Sequence, residues 1–129
     1  MVTGLGVVSS LGIGWEIFWK NLINGKSGIN EVTSFDISGY VNKNGGEVKD
    51  FNPKDFIRPS KIRVLGRSSQ MAIVASQLAF KDSLIKLENK ERLRSGVCIG
   101  TTGGEIGVVE KVHDDFKKRK KIDKRILLT

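Results

Sequence analysis

The stretch Gly96-Val97-Cys98-Ile99-Gly100-Thr101-Thr102-Gly103-Gly104-Glu105 decides the fold class. Its first half is a short apolar run between glycines, the pattern of a strand covered on both faces. Its second half turns the chain, after which Ile106, Val109, His113 and Phe116 recur at helical spacing. The same order of strand, glycine-rich turn and helix opens the sequence. Met1 to Thr3 reads as the end of a buried strand, Gly4-Leu5-Gly6 as a turn, and Trp15, Phe18, Trp19 and Leu22 as one face of a helix that Gly25 caps. A further helix is predicted from near Arg67 to Leu87, on the spacing of Met71, Val74, Ala75 and Leu78. Its small residues Ala72, Ser76 and Ala79 suit close packing on a sheet. Residues 26 to 59 hold glycines, asparagines and both prolines, which predicts loops, a short strand near Gly46-Glu47-Val48 and a brief helix.

Alternating strands and helices predict an α/β fold with a mainly parallel sheet and flanking helices. Too few strands are visible to complete a covered sheet, so the fold is expected to be incomplete within these 129 residues.

Composition narrows the function classes. With 39% apolar and 28% charged residues the chain has an ordinary globular mixture. No apolar run approaches the roughly 20 residues that cross a bilayer, and no charged region leads into an apolar one at the start, so a cytoplasmic protein without a membrane span is expected. The single cysteine, Cys98, forms no internal disulfide. Most of the net charge of +8 is local: Lys117 to Arg125 holds seven basic residues and one acid, leaving the rest nearly balanced. This basic segment, 117–125, lacks interleaved aromatics, which argues against a nucleic-acid partner and leaves electrostatic docking or plain solvation.

Three motifs invite chemistry. Gly4-Leu5-Gly6-Val7-Val8-Ser9 approaches a dinucleotide fingerprint, but Ser9 replaces the third glycine and a second turn, Gly12-Ile13-Gly14, delays the helix, so a structural turn is expected. Gly100 to Gly104 leaves a strand at its carboxyl end, where open α/β sheets bind ligands. A strand-to-helix turn without a ligand fits equally well. Cys98 lies mid-strand and is expected to be buried and inert; His113, on an apolar stripe, is expected to be packed rather than catalytic. No metal site can be drawn with one cysteine and one histidine, and no cofactor is implied.

Six collinear segments carry a resemblance: VTGLGVVSSLG (Val2–Gly12), FWKNLINGKSGI (Phe18–Ile29), FDISGY (Phe35–Tyr40), GEVKDFNPKDFI (Gly46–Ile57), GRSSQMA (Gly66–Ala72) and VCIGTTGGE (Val97–Glu105). Together they resemble the amino-terminal portion of β-ketoacyl-acyl carrier protein synthases of the ketosynthase II type, and the ketosynthase domains of polyketide synthases. On this resemblance residues 1–129 are the amino-terminal part of one such domain. It implies a partial thiolase-like fold, a homodimer in the complete enzyme, and acyl carrier protein as partner. It also implies decarboxylative condensation of an acyl thioester with malonyl-carrier protein, through a cysteine nucleophile and two histidines.

None of those catalytic residues is matched here, since Cys98 and His113 fit neither role, so the chain alone is expected to be inactive. The resemblance places Thr101, Thr102 and Gly103 at the wall of the acyl pocket. Gly103 stands where many relatives have a bulky gate, although Thr102 is a second candidate for that role. Lys61 and Arg63, with Lys117, Lys118, Arg119, Lys120, Lys121, Lys124 and Arg125, resemble the basic surface that receives the acidic carrier protein. Relatives begin a few residues earlier, commonly carry an aromatic residue after the arginine matched by Arg67, and continue for some hundreds of residues. The chain therefore needs the remainder of a synthase or a second subunit, or else serves as a non-catalytic module binding a carrier protein or partner subunit.

Overall fold

Val74 is the only side chain among the described residues that is wholly removed from solvent, and the fold is arranged around it. The computed structural model describes residues 1–118 and residue 120. A tight hairpin comes first, β1 (Val8–Ser9) against β2 (Gly12–Ile13), antiparallel, with Val8 opposite Ile13. Helix α1 (Trp15–Ile23) follows directly. It ends as its glycine predicts: Gly25 takes φ +66° and donates to Leu22 O at 3.0 Å, while the Lys26 amide donates to Asn21 O at 3.0 Å. Those two bonds are the Schellman arrangement.

A second antiparallel ladder joins β3 (Asn30–Glu31) to β4 (Asn44–Gly45), one residue before the strand read from Gly46-Glu47-Val48. The brief helix appears as a 3-10 turn at Pro53–Asp55, whose Asn52 side chain accepts from the Lys54 amide, and as α2 (Pro59–Ile62), with proline at its first position. Helix α3 (Arg67–Asp82) is the central element. It stops five residues before the expected end, because Leu84 adopts φ +55° and the Ser83 hydroxyl bonds the Phe80 carbonyl at 2.7 Å. A serine that satisfies local backbone groups competes with helix continuation. Two further helices follow, α4 (Asn89–Leu93) and α5 (Ile106–Lys117).

The core is small. Phe51 and Ile57 join Val74 as buried residues, and Val8, Ile13, Ile62, Leu65, Met71 and Leu78 pack around them. The amino-terminal segment lies against α3 at backbone distance. A Cβ on Gly4 or Gly6 would collide with main-chain atoms of Ala75, Ala79 or Ser83, so Gly4-Leu5-Gly6 is a packing element.

Several expectations are corrected. Both ladders among the described residues are antiparallel, and neither Met1–Thr3 nor Gly96–Gly100 joins a ladder. Val97 and Ile99 are consequently open to solvent, and Cys98 is exposed rather than buried. An apolar run specifies a strand's preference for cover but brings no neighbouring strand with it. His113 is likewise exposed. The half-buried side of α5 holds Val108, Val112 and Asp115, whereas Ile106, Val109 and Phe116 are 56%, 67% and 70% exposed. The predicted stripe exists, but it faces outward. No helix among the described residues is long and apolar enough to cross a membrane.

Candidate functional site

The turn after Gly100 lies over the amino-terminal end of α3, and the site is built where they meet. Gly104 takes φ +53°, a left-handed conformation that glycine adopts without steric cost, and its amide donates to Thr101 Oγ1 at 2.9 Å. This brings Glu105 back toward the helix. The Ser69 amide donates to Glu105 Oε1 at 2.5 Å. Ser69 is the third residue of α3, one of the positions whose amide has no partner within the helix, and the carboxylate also meets the positive end of the helix dipole. Gly66, just before the helix, leaves the space that the carboxylate occupies, since a Cβ there would collide with it.

Two cavities flank this contact. One, of about 470 Å³, is mainly apolar and lies between Ile99, Gly100 and Thr101 on the loop and Leu65, Ala72 and Ile73 on the helix side. The other, of about 430 Å³, is edged by Arg63, Arg67 and Lys111. Leu65, Ser68, Gly104 and Glu105 line both, so the Glu105 carboxylate stands in the partition between them. Arg67 is held from below: its Nη2 donates to Val48 O at 2.6 Å, and its guanidinium lies 5.4 Å from the centre of the Phe51 ring.

The pocket residues expected from sequence divide. Thr101 lines the apolar cavity; Thr102 and Gly103 do not, and all three are exposed. The space beside Gly103 is taken by Ile106, whose Cδ1 sits where a Cβ would project. Of the basic residues, Lys61 and Arg63 are exposed in and just beyond α2 and form no ion pair with a described residue. Lys117 and Lys118 close α5, with Lys118 3.6 Å from Asp114, and Lys120 is exposed. Arg119, Lys121, Lys124 and Arg125 lie outside the described residues. Among the described residues no three histidine, cysteine, aspartate or glutamate side chains gather as metal ligands. Sequence reading missed Glu105 as a structural actor; its only signal was an acid closing an otherwise neutral glycine-rich turn.

The chain is similar in sequence and in fold to known proteins. Residues 1–126 match the family described as the β-ketoacyl synthase, N-terminal domain. The chain belongs to that family. It is 34% identical over 110 residues to 3-oxoacyl-(acyl-carrier-protein) synthase 2 of Synechocystis sp., covering 85% of this chain and 26% of the relative. The synthases of that name from Coxiella burnetii, 35% identical over 114 residues, and Staphylococcus aureus, 34% over 113, each cover 88% of this chain, and 28% and 27% of their own lengths. Among solved structures the ishigamide ketosynthase/chain length factor superposes with a TM-score of 0.79 at 28% identity, over 98% of this chain and 32% of that one. This β-ketoacyl synthase chain thus spans between about a quarter and a third of the relatives it matches.

Proposed function

We propose that the chain is the amino-terminal segment of a 3-oxoacyl-(acyl carrier protein) synthase of fatty-acid or polyketide biosynthesis, inactive alone. The observation that carries this reading is the superposition of nearly the whole chain on a ketosynthase three times its length. In the complete enzyme a cysteine thiolate takes the acyl group from a carrier thioester and releases the carrier thiol. Malonyl-carrier protein then loses carbon dioxide, and the resulting enolate carbon attacks the acyl-cysteine and expels the thiolate. Two histidines stabilise charge as it develops. Cys98 and His113 are both exposed and match neither the nucleophile nor the histidines, and on this reading the segment contributes scaffold, pocket edge and carrier contacts.

A partial thiolase-like unit gains its parallel sheet and its homodimer partner from polypeptide outside this sequence. Exposed Val97, Ile99, Ile106, Val109 and Phe116 support it, because large apolar side chains left open to water gain from being covered by further polypeptide.

Complementation tests the proposal. The chain is co-expressed with the carboxyl-terminal part of the Staphylococcus aureus synthase that lies beyond the matched residues, and condensation of acyl thioester with malonyl-carrier protein is measured. Turnover is expected from the pair and none from the chain alone. Turnover by the isolated chain refutes its inactivity, and a well-folded pair without turnover refutes the ketosynthase reading.

A second reading, a non-catalytic module for an acidic carrier protein, is favoured by the exposed positive charges of Lys61 and Arg63. It predicts carrier binding by the chain alone, with an association rate that falls on charge reversal at these two residues and with added salt.

A further inference from the structure

The loop that borders the apolar cavity has little of its own to hold it. Residues 96–101 join no ladder, and a Cβ at Gly96, Gly100 or Gly104 would meet nothing within 4 Å. The Thr101 to Gly104 bond closes the turn on itself without fixing it to the body. Among hydrogen bonds between described residues, the Ser69 amide to Glu105 bond is the one that joins residues 96–118 to the preceding chain. The helix is prepared to receive it by an amide with no helical partner and by a glycine whose missing side chain leaves room for the carboxylate. Because that carboxylate also forms the partition between the two cavities, moving it moves a wall of the apolar one.

We propose that Glu105 is a positioning residue: its bond to the Ser69 amide, over Gly66, fixes the 100–104 loop and thereby sets the width of the apolar cavity for a neutral acyl chain. The cavity's role in acyl binding rests on the ketosynthase reading; the clamp itself does not.

Two variants attack the contact from opposite sides. Glu105→Ala removes the carboxylate, and Gly66→Ala expels it while leaving it charged; Gly66 has φ −70°, so alanine is free of backbone strain there. Glu105→Gln keeps an acceptor and serves as the rescue. In the chain alone, amide hydrogen exchange at Ser69 is expected to rise about tenfold in both alanine variants and to return most of the way in Glu105→Gln, with the double variant no faster than either single one. Exchange at Val74, in the core, stays unchanged. In the complemented enzyme both alanine variants are expected to shift the ratio of kcat/KM between long and short acyl thioesters by about tenfold, with Glu105→Gln close to the original ratio.

Unchanged Ser69 exchange overturns the clamp. Faster exchange with an unaltered acyl profile overturns the control of width. A complemented enzyme that fails to turn over with Glu105 intact refutes the ketosynthase reading and the acyl assignment with it, while the exchange result still decides the clamp.

Discussion

Asp82 and Trp15, separated by 67 residues in sequence, are joined by a hydrogen bond in which the indole Nε1 donates to Asp82 Oδ1 at 2.9 Å. The other oxygen, Oδ2, accepts the Leu5 amide at 2.8 Å. One carboxylate at the end of α3 therefore ties down both the amino-terminal segment and the start of α1. It sits at the helix terminus where the dipole disfavours an acid, so its value lies in these tertiary bonds.

Asp82→Ala should accordingly loosen both elements. Two charge-assisted bonds at an exposed carboxylate are worth about 1 kcal/mol together once solvent competition is discounted. For a domain of this size the thermal midpoint should fall by about 4 °C. The fluorescence of Trp15, read in a Trp19→Phe background, should shift as its indole loses the partner. An unaltered midpoint and spectrum would show that the carboxylate holds neither element.

Gly6 makes a sharper case. A Cβ there would overlap the Ala75 carbonyl oxygen, and no rotamer change relieves a clash between main chains. Gly6→Ala should cost about 3 kcal/mol, whereas Gly96→Ala, with nothing within 4 Å of its added carbon, should stay within about 0.5 kcal/mol. Urea midpoints of the two variants separate a packing glycine from a free one.

The contrast between these glycines shows what the sequence made legible. Helices α1, α3 and α5 were visible because a period near 3.6 is written locally in their apolar residues. The end of α3 was not, because Ser83 and Leu84 stop it through a side-chain bond and a left-handed backbone that spacing does not encode. At the site, Thr101 lies beside an apolar cavity, while the far end of Ile106 fills the space where a Cβ on Gly103 would project. The burial expected for Cys98 depended on neighbouring strands, and no ladder forms there among the described residues. Glu105 stayed hidden for a related reason. Its partner amide is 36 residues away, and no local pattern announces a cap supplied by a distant loop.

Glu47 gives the chain a predictable acid response. Donation from the Ser34 hydroxyl and the Thr33 amide, followed by the Ser34 amide and Thr33 hydroxyl, holds its carboxyl well below the ordinary 4.5, at about 2. Bonds that favour the ionised form stabilise the fold fully above pH 4.5, and that contribution is lost as the pH falls toward 2. The segment after the β3 and β4 ladder should therefore loosen in that window and show no change from this group between about pH 5 and 8. Exchange at the Thr33 and Ser34 amides measures it, and Glu47→Gln, which keeps one acceptor oxygen, should remove most of the pH dependence while exposing one of the two amides at neutral pH.

The proposed gate can be tested through the side chain that occupies its place. Ile106 Cδ1 fills the space beside Gly103, but Ile106 is 56% exposed and the contact is with its far end, so rotation can clear it. Gly103→Ala should therefore cost no more than about 1 kcal/mol, the scale of a rotamer change, and Ile106→Ala should recover that cost in the double variant. If absence of a side chain at Gly103 is what widens the acyl pocket, the complemented synthase carrying Gly103→Ile should lose kcat/KM for long acyl thioesters at least several-fold while keeping it for short ones. A uniform loss across chain lengths would instead place the gate elsewhere, with Thr102 the next residue to substitute.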